Sequence, residues 1–178
     1  TTVTKLRHDQ IRQVMPIGDF EAVTVGVLFE VKDASGAVKA TLSRELRGMV
    51  FVVSSLSSGC RHCQSHGAYG LARSGLPVEK IRALWEYETS PLFTQAERAA
   101  LRFASAAGQA PNAVTPEHHA ELRAHYSDAE IAQIIVQLCV GGWLNRWNDS
   151  MGTTLEGAAE AVGSRHLAAR GWNVGKHR

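Results

Sequence analysis

The run Gly59-Cys60-Arg61-His62-Cys63-Gln64-Ser65-His66 sets two thiols three residues apart, with one imidazole between them and a second just beyond. A Cys-x-x-Cys at the start of a helix brings two sulfurs within bridging reach, and the helix N-terminus favours negative charge, which lowers thiol pKa values. Imidazoles reinforce this in either protonation state: the cation stabilises a thiolate, and the neutral ring removes a thiol proton. Together such surroundings bring a thiol from about 8.5 down to roughly 3.5–7.5, where it is nucleophilic at neutral pH. The chemistry that suits this constellation is reversible dithiol–disulfide exchange.

Other readings of the same residues carry their own requirements. Cys60, Cys63 and His66 supply three zinc ligands, but a structural site wants a fourth, and no second Cys/His cluster stands at ribbon or finger spacing. A c-type haem site needs histidine directly after the second cysteine, where Gln64 stands, so that reading fails. Two incidental buried thiols are the remaining alternative. Cys139, between Leu138 and Val140, reads as an inert small hydrophobe inside a helix. His118 and His119 follow Pro116 at a helix start, point to different faces and are expected to be exposed. Asn145-Arg146-Trp147-Asn148-Asp149 must be hydrogen-bonded or exposed, and Arg146 with Asp149 has the spacing of a helical ion pair.

The elements that must position the cysteines are helical. Leu42, Leu46, Met49, Val50, Val53 and Leu56 share one face of a 3.6-residue repeat, which predicts a buried helix that breaks in the serine-rich stretch before Cys60. A second helix then starts at the cysteines and runs to about Arg73, where Ser74-Gly75-Leu76-Pro77 ends it. Thr94–Glu97 and Ser127–Glu130 have the form of capping boxes, and the second opens a central helix running to about Leu144. Thr153–Glu156 repeats the signature ahead of a helix to about Val162. Phe20–Val31 alternates with period two, as a strand would. A hairpin with Val38, Ala40 and Leu42 is conceivable, but no other strand is on offer to cover it, so the segment is assigned to helix. The expected fold is therefore all-α, a single-domain helical bundle over 1–178. Residues 1–40 form a helical N-terminal extension, 41–162 the core that carries the cysteines, and 163–178 a solvated, partly frayed basic tail.

Composition bounds the function. A chain of 178 residues with 44% hydrophobic content builds one sizeable core without disulfide staples, for which three cysteines are too few. A formal charge of +2 supplies no field to hold a polyanion, so nucleic acid is excluded as a partner. No apolar run is long enough to span a membrane, and the polar Thr1–Gln13 has no secretory h-region.

Cys60-Arg61-His62-Cys63 with His66, the buried helix before it, and Gly75-Leu76-Pro77 and Glu79-Lys80 after it resemble the carboxymuconolactone decarboxylase superfamily. Within it the likeness is to the alkylhydroperoxidase D branch. Trp85–Phe93, Ala96–Leu101 and Asn145–Asp149 resemble uncharacterised members of that branch, so the likeness runs from about Arg44 to Glu156. The resemblance implies an all-helical homo-oligomer in which a cysteine pair reduces hydroperoxides and is re-reduced by a lipoyl or thioredoxin-like dithiol, with no cofactor or metal. A cytoplasmic setting follows from the need for a reducing supply. Carried over residue by residue, Cys63 attacks the peroxide and becomes a sulfenic acid, Cys60 resolves it, His62 tunes the pair and His66 acts as general base. The family histidine position, four residues past the second cysteine, is Gly67 here, and His66 stands one residue earlier on nearly the same helix face. The family glutamate position is Gly48, for which Glu45, one turn earlier, is the expected stand-in. A lactone decarboxylase lyase, which needs no cysteine pair, and a non-enzymatic redox-responsive or ligand-binding module are the rival functions.

Overall fold

The computed structural model describes residues 31–32, 38–40 and 42–178. The chain divides into two compact units, Thr1–Ala40 and Thr41–Arg178. In the first, β1 (Val31–Lys32) and β2 (Val38–Ala40) pair antiparallel, Val31 opposite Ala40 and Lys32 opposite Val38. This corrects the expectation of a helical extension at these positions: the period-two run of β-branched residues keeps its strand preference at Val31 because a partner strand follows within reach. The rest of Phe20–Val31, and Thr1–Gln13, lie outside the described residues.

The second unit is helical, as its 3.6-residue patterning requires. Helix α1 (Arg44–Ser58) starts where the Ser43 side chain accepts the Leu46 N–H at 3.0 Å and stops at Gly59, whose φ of 76° only glycine adopts readily. Its buried face, Leu46, Met49, Val50 and Val53, packs on α2 (Arg61–Ser74), α4 (Gln95–Ala107) and α6 (Asp128–Met151), which makes α1 the central element. Helices α1 and α2 run antiparallel. Gln64 Nε2 donates to the Ser55 carbonyl at 3.2 Å, Gly67 abuts Val52 and Phe51, and Gly48 abuts Leu71. Short α3 (Val78–Arg82) and a 3₁₀ turn (Ala83–Glu86) lead to α4, whose Thr94/Glu97 capping box is present; α5 (Pro116–Arg123) precedes α6, which opens on the Ser127/Glu130 box.

Helix α6 extends about two turns past Leu144, to Met151, and this carries Asn145, Asn148 and Asp149 on a regular helix. One face, with Ile131, Ile134, Gly141 and Asn145, is buried, whereas Ile135, Cys139, Trp143, Trp147 and Met151, spaced by four, form an outward stripe. Cys139 is thus exposed, although it stands between two apolar neighbours. A helix apolar nearly all round gives no sequence signal of which face turns inward. Among the described residues no helix is long and apolar enough to cross a membrane.

The terminal segment also departs from expectation. After α7 (Gly157–Val162) the chain forms a π-helical turn (Gly163–Leu167) and a 3₁₀ turn (Ala168–Arg170), then a strap that buries Trp172 and His177. Leu167 and Trp172 join the core, while Arg170 pairs with Glu86 and Lys176 with Asp149 at the surface. Interleaved basic residues made the segment look solvated, yet long cationic side chains reach water while their neighbours stay buried. The strap is tied down by Trp172 Nε1 donating to the Arg61 carbonyl at 2.9 Å and by the Leu155 N–H donating to the His177 carbonyl at 2.8 Å. At Gly163 a Cβ would come under 3.0 Å from both Ser65 Oγ and the Trp172 ring. Gly163→Ala is therefore expected to destabilise the protein by about 1–3 kcal/mol through overpacking, read as a lowered urea midpoint; an unchanged midpoint would contradict the close seating of the strap.

Candidate active site: buried thiols among histidines

Cys60 is the N-cap of α2. With φ −76° and ψ 99° it is still extended, and its Sγ accepts the backbone N–H of Cys63 at 3.4 Å, the place a serine or aspartate oxygen usually fills. Both thiols are free and buried, Cys60 at 0% and Cys63 at 1% exposure. Hydrogen bonding from the Cys63 thiol, aided by the Cys63 N–H, holds the Cys60 thiol below its ordinary range against the opposing effect of burial. Cys63 moves the other way, pushed far up by its bond to Cys60, by burial and by the charge on Cys60, although Asn148 Nδ2 donates to its sulfur at 3.6 Å. The pair therefore titrates as one unit whose first negative charge sits on Cys60. The resemblance implies the other sulfur, Cys63, as the nucleophile.

Three histidines surround the pair. His62, one residue into α2, is 7% exposed, and neither ring nitrogen has a hydrogen-bond partner among the described residues. Its ring stacks on His66 at 4.5 Å between centroids and lies 5.5 Å from that of His177. Burial, with a smaller push from His66, brings the His62 pKa down to about 4, so the ring is neutral at physiological pH. His66, a turn further along α2, bonds through Nε2 to Glu156, and both reach the surface. Burial would raise the Glu156 carboxyl, but its own backbone N–H and His66 outweigh that and hold it below the ordinary range. Helix α7 begins only at Gly157, so the Thr153–Glu156 capping box does not form and Glu156 is the N-cap by position, its side chain turned to His66.

Glu45 is not brought to the cysteines. It stands in the first turn of α1, thirteen residues from Ser58, which at about 1.5 Å per residue is about 20 Å from the helix end that meets Cys60. Asp149 is the carboxylate beside Cys60, and Glu156 stands beside His66 and His62. Asp149 does not pair with Arg146; its oxygens meet Lys176 Nζ at 2.9 Å and His177 Nε2 at 3.7 Å. Asp149, Asn148, Glu156 and His177 are the site residues that sequence reasoning did not assign. Asn148 and Asp149 were visible as a polar cluster without an address, whereas His177 looked like part of a solvated end.

Two groups of donors come together. Sγ of Cys60, a ring nitrogen of His177 and a carboxylate oxygen of Asp149 lie within 4.8 Å of one another, as do donor atoms of His62, His66 and Glu156. Both sets have the types that bind transition cations and also the types that move protons. On the other side of Asp149 a cavity of about 440 Å³ is lined by Ser54, Ser58, Gly108, Asn145, Arg146 and Ser150 among others. His118 and His119 lie elsewhere and are half-buried: His118 Nδ1 bonds Thr115, and His119 sets its ring against Phe103.

Comparisons with known proteins agree with the fold. The model of the carboxymuconolactone decarboxylase family matches residues 25–106. No curated protein matches. Among solved structures, the debrominase Bmp8 is similar at 34% identity and TM-score 0.66, over 69% of this chain and 66% of that one. A cysteine-to-alanine variant of the same debrominase, in complex with 2,3,4-tribromopyrrole, is similar at 33% and 0.68, over 70% and 67%. The chain thus spans about two thirds of the length of these neighbours. An Agrobacterium tumefaciens protein of unknown function, named as a candidate antioxidant defence protein of the alkylhydroperoxidase D type, is similar at 25% and 0.61, over 65% and 80%.

The depressed His62 pKa has a measurable sign. Below its unfolded value of 6.5 the unfolded chain takes up a proton that the folded ring refuses, so stability falls as pH drops from 6.5 and levels off below about 4. The whole effect is at most about 3 kcal/mol. NMR titration of the ring should show a midpoint near 4, and His62→Phe should flatten urea-derived stability over that window. A ring titrating at its ordinary value would contradict its burial.

Proposed function

The chain belongs to the carboxymuconolactone decarboxylase family, and from that premise we propose that it is a thiol-dependent hydroperoxide reductase working through Cys60 and Cys63. The observation that supports this reading is the buried pair itself, two free thiols three residues apart with the Cys63 N–H donating to Cys60 Sγ at 3.4 Å. The Cys60 thiolate attacks a peroxide oxygen: an S–O bond forms, the O–O bond breaks, and the departing alkoxide takes up the proton that Cys60 released. The Cys63 thiol then attacks the sulfenic sulfur of Cys60. An S–S bond forms, the S–O bond breaks, and hydroxide leaves as water with the Cys63 proton. A small or protein dithiol, lipoyl or thioredoxin-like, restores both thiols and is itself oxidised to a disulfide. His66 with Glu156 exchanges protons between solvent and the buried rings. Self-association and a cytoplasmic setting belong to the same proposal. The outward apolar stripe of α6 is of the kind that copies of a chain bury, and the cytoplasm supplies dithiols.

A second reading is favoured by the debrominase neighbours, whose identity exceeds that of the antioxidant-type neighbour. In reductive dehalogenation the Cys60 thiolate attacks the halogen instead of oxygen. The carbon–halogen bond breaks, carbon takes a proton, and Cys63 displaces halide as the disulfide closes. The same two electrons are used, so the substrate alone separates the readings. A lyase would need neither sulfur, and a redox-responsive module would oxidise once and stop.

Rapid mixing of the reduced protein, Cys60→Ser and Cys63→Ser with hydrogen peroxide, an organic hydroperoxide and a brominated pyrrole tests this. Cys60→Ser should show no fast phase, and Cys63→Ser should accumulate a trappable sulfenate. The opposite pattern would return the attacking role to Cys63, and the absence of dithiol-driven turnover with every substrate would sink both readings. Glu156→Gln should lower turnover by roughly a hundredfold, the low end for general acid–base groups, while Glu45→Gln should leave it unchanged.

A further inference from the structure

We infer that His177, on the C-terminal strap, is the proton acceptor for Cys60, with the Thr153 carbonyl and Asp149 as its positioning groups. This deepens the reading above and rests on it for its place in turnover, but the group itself is identified by geometry. His177 is 1% exposed, more enclosed than either histidine of the Cys-x-x-Cys run. Its Nδ1 lies 3.0 Å from the Thr153 carbonyl oxygen. A carbonyl only accepts, so the hydrogen is on Nδ1, and in the neutral ring Nε2 is left with a lone pair. Nε2 is the nitrogen on the Asp149 side, 3.7 Å from Oδ1, where that carboxylate and Cys60 Sγ join His177 within 4.8 Å. A ring held this way takes the thiol proton on Nε2 and becomes an imidazolium beside a carboxylate. The ring nitrogen and the sulfur lie within 4.8 Å of each other, and catalytic contacts often tighten to a hydrogen bond only when substrate is bound.

The proton balance closes on this residue. Cys60 gives its proton to Nε2 as it becomes the attacking thiolate, and the imidazolium returns that proton to the departing alkoxide when the O–O bond breaks. His62 is a poorer acceptor because neither of its ring nitrogens has a hydrogen-bond partner to orient it. The charged and titratable groups facing His177 come from several elements: Cys60 and His62 from the start of α2, Asp149 from α6, and Lys176, paired with Asp149, from the strap.

The test reads the thiol directly and needs no hydroperoxide, so it stays informative whether or not the chain turns one over. In a Cys63→Ser background, the rate of Cys60 alkylation by iodoacetamide is followed from about pH 5 to 10, a window around the ordinary thiol range, with and without His177→Gln, which keeps a donor for the Thr153 carbonyl. The expected result is a rate about tenfold lower at neutral pH and an inflection moved up by about one unit, with the near-UV circular dichroism unchanged. Superimposable profiles would overturn the assignment. Asp149→Asn gives an independent arm whose sign discriminates, and it decides the matter should His177→Gln fail to fold. Acting on sulfur alone, Asp149 disfavours the Cys60 thiolate, so its removal would speed alkylation. Acting through His177, its removal slows alkylation. Faster alkylation in Asp149→Asn would overturn the inference.

Discussion

The backbone N–H of Cys63 points at the sulfur of Cys60, and the reactive centre is arranged around that contact. A helix must do something with its first N–H groups, and this one hands one of them to a sulfur instead of to an oxygen or to water. The same contact follows the turn that Gly59 makes and adds to the larger effect of the Cys63 thiol in favouring the anion on Cys60. Because both sulfurs are buried, bulk solvent does not screen the preference.

Acid–base groups reach this buried pocket from far along the chain. Helix α1, which carries the family glutamate position at Gly48, has a glycine there packed against Leu71, so no carboxylate comes from that side. Carboxylates arrive instead from the opposite side of α2, as Glu156 ahead of α7 and Asp149 on α6. Exposure falls from the side chains of Glu156 and His66, at 49% and 32%, to His62 at 7% and His177 at 1%, so the imidazoles grade from solvent into the sulfur-bearing interior.

How much of this is legible in the sequence follows from the range of the interactions. Helix α1 is readable because its apolar positions repeat within one helix, and the caps at Thr94 and Ser127 because the reciprocal bonds span only three residues. The cysteine pair and its helix start are readable for the same reason. Glu156 resembles a cap because its local spacing is right, while its actual partner, His66, is ninety residues away. His177 and Trp172 are hidden because basic neighbours dominate the local composition. The exposure of Cys139 is not readable from local pattern because α6 is apolar on more than one face, and the packing against α1 decides which is buried. At Val31 the period-two pattern is the better guide, and the scarcity of partner strands is the weaker argument.

The contacts that close the pocket have long sequence separations, 94 residues for Ser65 with Ala159 and 111 for Arg61 with Trp172. Loops of that size are shut late in folding, because their closure entropy is met only when the distant segments have both formed. During synthesis the cysteine-bearing hairpin of α1 and α2 emerges long before its cover does. For that interval the two thiols face water with His62 and His66 beside them but without His177 and without their enclosure. The strap that encloses them is thus also a chronological device: a chain acquires its protected, tuned sulfurs only once its last described residues have docked.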